Sequence, residues 1–284
     1  MTHWPPNWHN IDFYTIAFTL RSGSNLLCDY LSANGLGFPS EYFQYPFGLA
    51  NKFWYDLCGV PEHQFVLFLD ALISLQSQNN IFGSKIAWDQ KNALNEQLTK
   101  ITANSCVTIT NVFPNNKWIY LRREDKIDQA LSLWRAVKTD VWTSSTENRA
   151  AEPAYNFFRI LSCLIPILVE ECAWSHFFAT NAIIPLIVTY EGLTNDPIST
   201  IYNIYAYIKP KHRLQKDKIT LSTDLQIQRD QRSTPMKDRF VEDLYRIGAQ
   251  DHWASRNKQL PRWIAFFRNE EWRDLAGAET PVAT

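Results

Sequence analysis

Glycine is scarce in this chain, with 9 glycines in 284 residues. An average globular protein of this length contains about 20. Each glycine is therefore informative about the backbone, and Gly23 is of particular interest because it follows directly on an apolar run and an arginine.

An excess of either charge is also missing, since 28 Lys and Arg balance 29 Asp and Glu. No global field draws the protein to nucleic acid or to anionic lipid, so we expect no nucleic-acid partner. The most apolar stretch, Phe157 to Val169, is too short to span a bilayer and contains Arg159 and Pro166. We expect no membrane insertion, and a buried helix in this stretch.

Several sequence signatures are absent. The five cysteines are odd in number and scattered, and no basic, then apolar leader opens the chain, which favours a cytoplasmic location. No CxxC, HxxxH or HExxH motif supports a metal site, and no GxSxG turn supports a serine hydrolase. We therefore expect no metal cofactor.

Apolar segments alternate with helical patterns along most of the chain. Strands are predicted at 12–20, 82–88, 117–121 and 185–190. Helices are predicted at about 24–34, 61–78, 153–180, 197–208, 236–248 and 259–270, and two further helices begin near residues 89 and 124. This order predicts an α/β fold with a central, mostly parallel sheet flanked by helices. We expect a single domain over 1–284, with a core at about 12–245 and a C-terminal helical extension at 246–284.

The first strand runs into Arg21-Ser22-Gly23-Ser24, with Ser24 expected to cap the following helix. Such a strand, loop and helix typically binds an anion, because backbone N–H groups and the helix dipole point at one spot. The loop is shorter than a Walker loop and has arginine for lysine, so it suits one phosphate group. The alternative is an ordinary surface turn.

A second cationic position follows the third strand. Arg122 and Arg123 precede a helix whose polar positions are Asp125, Asp128, Ser132 and Arg135. An arginine and a helical serine can hold a second phosphate group. The alternative is a solvated helix face with ion pairs.

Five motifs in register resemble the bacterial trehalose 2-sulfotransferase family. They are Arg21-Ser-Gly-Ser24, Pro39-Ser-Glu-Tyr-Phe-Gln-Tyr45, Gly83-Ser-Lys-Ile-Ala-Trp88, Arg123 with Gln129-Ala-Leu-Ser-Leu-Trp-Arg-Ala136, and Gln231-Arg-Ser233. The resemblance implies a P-loop-like sulfotransferase fold, 3′-phosphoadenosine-5′-phosphosulfate as the sulfuryl donor, and a homodimer.

The resemblance also implies roles for individual residues. Donor-binding residues would be Arg21, Ser22, Gly23, Ser24 and Asn25 at the 5′-phosphosulfate, Arg123 and Ser132 at the 3′-phosphate, and Gln228, Arg229 and Arg232 in a late covering loop. Arg229 is not typical of the family, and Asn25 replaces a more usual Thr.

The catalytic residues would be Glu41 as general base, with Lys85 and Arg21 stabilising the charge that develops on the transferring group. Alternatively, Glu41 is a first-turn helical glutamate and Lys85 a structural ion-pair partner. The acceptor, a small molecule or a carbohydrate, would contact Leu20, Pro39, Glu41, Phe43 and Trp88. Leu20 stands where the trehalose enzyme has a polar Gln.

Two other functions remain open from the residues themselves. A small-molecule kinase is disfavoured because a Walker lysine and acidic Mg²⁺ ligands are missing. A non-catalytic nucleotide-binding protein would retain the anion loops but has no need of a base at Glu41.

Overall fold

The computed structural model describes residues 8, 10–43, 49–62, 64–102, 108–113, 115–142, 153–211, 214–225 and 233–250. The chain divides into two compact units. The first comprises Met1–Glu124 with Glu170–Asp224, and the second Asp125–Val169 with Leu225–Thr284.

The first unit is built on a four-stranded sheet. Its strands are β1 (Asp12–Phe18), β2 (Ile81–Ile86), β3 (Lys117–Arg122) and β4 (Leu186–Thr189). All pairs are parallel and the order is β2-β1-β3-β4. The nearly continuous apolar run of β1 suits a strand covered on both faces, and every residue of β2 is buried although that strand contains Ser84 and Lys85. The predicted α/β fold with a parallel sheet flanked by helices is confirmed.

The described helices, in chain order, are α1 (Ser24–Ala33), α2 (Leu49–Cys58), α3 (Phe65–Gln76), α4 (Trp88–Thr102), α5 (Ile109–Val112), α6 (Lys126–Thr139), α7 (Phe157–Thr180), α8 (Tyr190–Asn195), α9 (Pro197–Ile208) and α10 (Ser233–Gln250). A 3₁₀ turn covers Lys216–Lys218. The sequence pattern predicted α3, α4 and α9 closely and missed α2, α5 and α8. The helix predicted at 259–270 lies outside the described residues.

Two sequence predictions about burial were wrong. β4 was expected to be a buried strand, but only Val188 is buried and Ile187 is 58% exposed. β4 and β2 both lie at the ends of the strand order, but every residue of β2 is buried, so the exposure of β4 reflects fewer side chains packed on its faces rather than its end position. The stretch from Phe157 to Val169 was expected to be a buried helix, but Phe158, Leu168 and Val169 are exposed.

The second unit packs around one small apolar cluster. Its buried members are Ala130, Leu131, Leu133, Trp134, Ile160, Leu164, Ile167 and Phe240. The apolar spacing of the helix after Arg123 predicts that Val137 faces inward, but in α6 Val137 is exposed. Helix α7 begins at Phe157, so Pro153 lies before the helix rather than in its first turn.

Aromatic rings dominate the core of the first unit. They include Phe13, Tyr42, Phe43, Phe82, Phe113, Trp118, Trp174, Phe177 and Phe178. The Tyr14 ring crosses β2 at Gly83, its partner in the parallel register, and the Tyr14 hydroxyl donates to the Leu36 carbonyl at 2.8 Å. A Cβ built on Gly83 would lie 2.2 Å from the Tyr14 ring, so this glycine is required by close packing.

The described cysteines, Cys28, Cys58, Cys163 and Cys172, carry free thiols. Within the described ranges, we find no helix with both the length and the apolarity needed to cross a bilayer.

Candidate active site

The predicted site residues cluster at the carboxyl ends of the strands. β1 lies between β2 and β3, and the chain leaves β1 for β2 on one side and reaches β3 on the other. Parallel sheets bind ligands at such a switch in strand order, outside the carboxyl ends. Here the loop 19–23 follows β1, Trp88 follows β2, Arg123 follows β3 and Tyr190 follows β4.

The loop after β1 opens helix α1 without a side-chain cap. Gly23, at φ 87°, is the N-cap, and its carbonyl accepts the first helical hydrogen bond, from Leu27 N at 3.1 Å. The expectation that Ser24 caps the helix was wrong, because Ser24 is already the first helical residue. The N–H groups at the start of α1 receive no side-chain cap and therefore suit an anion.

Two arginines approach each other beside this helix start. Arg21 has a left-handed backbone at φ 63°, and burial, then the nearby positive charge of Arg123, lowers the pKa of its guanidinium. The Arg123 guanidinium lies over the Tyr190 ring at 4.8 Å from the ring centre. Positive charges brought together in a half-buried place favour binding of an anion.

Ser22 supplies a further indication of a ligand. Its side chain is fully buried, and its hydroxyl oxygen makes no hydrogen bond with any residue in the described ranges. Buried hydroxyls normally find a partner. The uncapped helix start, the arginines and this hydroxyl therefore fit a phosphate or sulfate group.

Glu41 and Lys85 form an ion pair. Lys85 Nζ lies 2.8 Å from Glu41 Oε1 and also donates to the side-chain oxygen of Asn25 on α1. The Lys85 side chain is 6% exposed and that of Glu41 is 25% exposed. Lys85 Nζ lies 5.3 Å from the centre of the Phe18 ring. The predicted base and the predicted cation are thus in direct contact.

The other oxygen of Glu41 also has a donor. Gln90 Nε2 donates to Glu41 Oε2 at 2.8 Å. The sequence analysis did not select Gln90, because a glutamine in the first turn of a helix carries no recognisable motif. Tyr190 was also missed, although its place directly after a strand end was a usable signal.

The predicted acceptor residues differ in accessibility. Leu20 is 38% exposed on the loop after β1, whereas Pro39 is buried. Phe43 is buried, with its ring 6.2 Å from that of Phe113, so it contributes to the core. Trp88 is partly buried and its ring meets that of Trp174 at 5.2 Å.

The Lys91 ammonium lies 3.7 Å from the centre of the Trp88 ring and 5.0 Å from that of Phe177. Burial lowers the pKa of Lys91 to about 8. One face of Trp88 is therefore covered by a lysine, which the sequence analysis did not predict. An acceptor at Trp88 would meet its remaining surface.

The roles predicted for the remaining donor residues are not tested by contacts within the described residues. Ser132 lies on α6 in the second unit, where Asp125 caps the helix through Asp128 N at 3.0 Å and pairs with Lys237. Gln228, Arg229 and Arg232 lie outside the described residues. Their predicted roles, and that of Ser132, stay predictions.

The segment that leads to that late loop is attached to α1. Thr220 N donates to Asn34 Oδ1 at 3.0 Å, and Asn34 Nδ2 donates back to the Thr220 carbonyl at 2.7 Å. The Thr223 hydroxyl donates to Asp29 Oδ2 at 2.6 Å. The chain from Thr220 to Thr223 therefore runs along the same helix that begins at Ser24.

A family model for the Stf0 sulphotransferases matches residues 13–243. The chain belongs to the Stf0 sulphotransferase family. It is therefore a sulfotransferase, and the resemblance noted in its five motifs is confirmed.

Two curated relatives are similar over most of their length. Trehalose 2-sulfotransferase of Mycobacterium tuberculosis is 27% identical over 262 residues, which cover 83% of this chain and 96% of that protein. Trehalose 2-sulfotransferase of Mycolicibacterium smegmatis is 26% identical over 267 residues, with the same coverage.

A solved sulfotransferase domain from the Synechococcus PCC 7002 olefin synthase aligns with 84% of this chain and 98% of its own, at 13% identity and a TM-score of 0.34. A TM-score of this size lies below the range that indicates a common fold.

Across the part of the chain that is described, no three His, Cys, Asp or Glu side chains come close enough together to hold a metal ion.

Proposed function

We propose that this sulfotransferase takes its sulfuryl group from 3′-phosphoadenosine-5′-phosphosulfate and moves it to a hydroxyl of a carbohydrate or another small molecule. The observation that carries the proposal is the approach of Arg21 and Arg123 at the uncapped start of α1, with Lys85 at the end of the neighbouring strand β2 ion-paired to Glu41. An amine acceptor is the less favoured alternative.

The residues after β1 suit the phosphosulfate end of such a donor. Arg21 supplies a cation, Gly23 a backbone without a Cβ, and Ser22 and Ser24 supply hydroxyls. Asn25 would complete this part, and Arg123 with Ser132 would hold the 3′-phosphate. When bound, the donor supplies an activated sulfuryl group.

Glu41 is proposed as the general base that removes the proton from the acceptor hydroxyl. Its two oxygens accept from Lys85 and Gln90, and an ionised carboxylate has about four acceptor positions. An acceptor hydroxyl can therefore still donate to Glu41. Proton removal by a positioned base contributes about 10² to 10⁴ in rate.

Lys85 has two roles in this proposal. Its ammonium holds Glu41 Oε1 at 2.8 Å, and its buried charge stabilises negative charge that develops as the sulfuryl group is transferred. Arg21 is proposed to stabilise the same charge. Lys85 is held by Glu41 and Asn25 before the reaction, which is the condition under which charged groups stabilise a transition state most effectively.

A sugar is the favoured acceptor class because both curated relatives are named for a sugar. Trehalose itself is less favoured, since the exposed Leu20 offers an apolar contact at the loop after β1. Screening disaccharides and their deoxy analogues for sulfate transfer, with trehalose as reference, tests this order.

Calorimetry provides the direct test of the donor. Adenosine 3′,5′-bisphosphate is expected to bind at micromolar concentration without metal and more tightly than ATP with Mg²⁺. Preference for ATP with Mg²⁺ contradicts the proposal. The test of the base is Glu41→Gln, which should keep nucleotide affinity while reducing sulfate transfer about 10²-fold or more.

A further inference from the structure

We propose that Gln90 is a positioning residue that fixes the orientation of the Glu41 carboxylate. The inference rests on the proposed function, because it assumes that Glu41 is the base. Gln90 is 4% exposed, lies in the first turn of α4, and bridges the end of β2 to Glu41.

The hydrogen bonds around Gln90 define which way its amide points. The backbone N–H of Ala87 donates to Gln90 Oε1 at 3.0 Å. A backbone N–H can only donate, so the amide oxygen must face Ala87. The Nε2 group must then face Glu41, where it donates to Oε2 at 2.8 Å. The amide thus has one orientation that satisfies both neighbours.

The backbone of Gln90 is also held. Its N–H donates to Asp89 Oδ1 at 2.8 Å, and Ala87 directly follows β2. The amide is therefore connected to the sheet through Ala87 and to the helix through its own main chain. A side chain fixed at both ends is a suitable support for a catalytic group.

Two donors hold the carboxylate where one would not. Lys85 contacts Oε1 at 2.8 Å, and this single contact leaves the carboxylate plane free to rotate about its Cγ–Cδ bond. The second donor on Oε2 fixes that plane and leaves the remaining lone pairs in defined directions. Because Gln90 is neutral, it does this without adding another positive charge beside the base.

Among the described residues, Glu41 has a charged neighbour on β2 and a titratable neighbour on α1. Lys85 belongs to β2, and the Cys28 thiol of α1 senses both Lys85 and Glu41. Burial raises the pKa of Cys28 to about 12, so the thiol stays protonated at neutral pH. A shift of the acid side of the pH profile after a change at Gln90 therefore reports on Glu41.

The test compares Gln90→Met with Gln97→Met, a partly buried glutamine seven residues further along the same helix. Loss of a hydrogen bond to a charged group should lower kcat about tenfold to a hundredfold, with the acceptor KM changed less than about threefold. The acid side of the profile of kcat/KM should move to higher pH, because the ionised carboxylate has lost a donor. Gln97→Met should leave both unchanged.

Gln90→Glu is the second variant and keeps the size of the side chain. It places a carboxyl against Glu41 and should move the acid side further upward than Gln90→Met does. Circular dichroism and unfolding midpoints show whether each variant folds. If Gln90→Met does not fold, Gln90→Glu carries the test.

The outcomes separate the two proposals. If Glu41→Gln retains full sulfate transfer, the base assignment is wrong. If Glu41→Gln is inactive but neither Gln90 variant moves the pH profile, the proposed function stands and the role of Gln90 is overturned. A kcat loss that is equal at every pH also contradicts positioning and indicates a structural role.

Discussion

The Tyr190 ring lies against the backbone of Gly23, so that a Cβ built on Gly23 would come within 2.5 Å of the Tyr190 ring. The same ring supports the Arg123 guanidinium at 4.8 Å. Tyr190 therefore contacts both Gly23, just before α1, and Arg123, just after β3.

Gly23→Ala should be more damaging than Gly59→Ala, which serves as a matched control. Both glycines have positive φ, at 87° and 65°, but a Cβ at Gly59 meets no atom within 4 Å. Gly59→Ala should cost about 1 kcal/mol of unfolding free energy from the backbone alone. Gly23→Ala should cost more and weaken binding of adenosine 3′,5′-bisphosphate about tenfold or more, as measured by urea unfolding and calorimetry. Equal losses of stability and affinity in the two variants would refute the packing argument.

Arg21→Met should weaken the binding of adenosine 3′,5′-bisphosphate by about 10-fold to 100-fold, because a charged hydrogen bond contributes about 1.5–3 kcal/mol. Calorimetry at two salt concentrations measures the effect, which should shrink as salt rises. Arg246→Met is the control, since Arg246 forms exposed ion pairs with Glu242 and Asp243 on α10. Unchanged affinity in Arg21→Met would remove this arginine from the donor site.

Lys85→Met should destabilise the protein more than Glu41→Gln does. The methionine leaves the Glu41 carboxylate without its cation, whereas the glutamine leaves Lys85 with the Asn25 oxygen as a partner. Removing one partner of a buried pair costs about 3–5 kcal/mol, and the 25% exposure of Glu41 reduces this to about 1–3 kcal/mol. The double variant should recover part of that loss in urea unfolding. Additive losses would mean that the ion pair does not couple the two residues.

Lys91→Met should stabilise the protein at pH 7 and have less effect at pH 10. Burial lowers the pKa of Lys91 from 10.5 to about 8. Below pH 8 the ammonium is charged in both the folded and unfolded protein, so the full cost of burying it is present. Between pH 8 and 10.5 the folded protein releases this proton first, and the cost decreases.

The expected gain at pH 7 is about 1–3 kcal/mol, with part of it offset by loss of the contact to Trp88. Unfolding in urea at both pH values measures it. Lys100→Met, at an exposed position near the end of α4, is the control and should show no such pH dependence. A gain that is the same at pH 7 and pH 10 would contradict the assignment of a buried charge.

Sequence patterns predicted the central part of the fold because its strands are covered on both sides. The apolar runs of β1 and β3 contain enough residues to identify these strands, and the carboxyl ends of the strands locate the candidate site. β4 has an equally apolar sequence but a poorly covered position, and burial of that kind depends on neighbours that the local pattern does not contain.

The site shows the same division. Arg21, Glu41, Lys85 and Arg123 were predicted as site residues because their motifs are recognisable, and the structure brings Glu41 to Lys85 and Arg21 to Arg123. Gln90 and Tyr190 were missed because their contacts join residues 49 and 167 positions apart in the chain. Contacts of this range arise only once the sheet is assembled.

The Tyr14 ring of β1 crosses β2 directly over Gly83, which has no side chain to obstruct it. The ring occupies the volume where any other residue at position 83 would place its Cβ, and the Tyr14 hydroxyl reaches Leu36 beyond it. Alanine can therefore replace Gly83 only if the side chain at position 14 is smaller than tyrosine. Related sequences with a larger residue at position 83 should accordingly have a smaller residue at position 14.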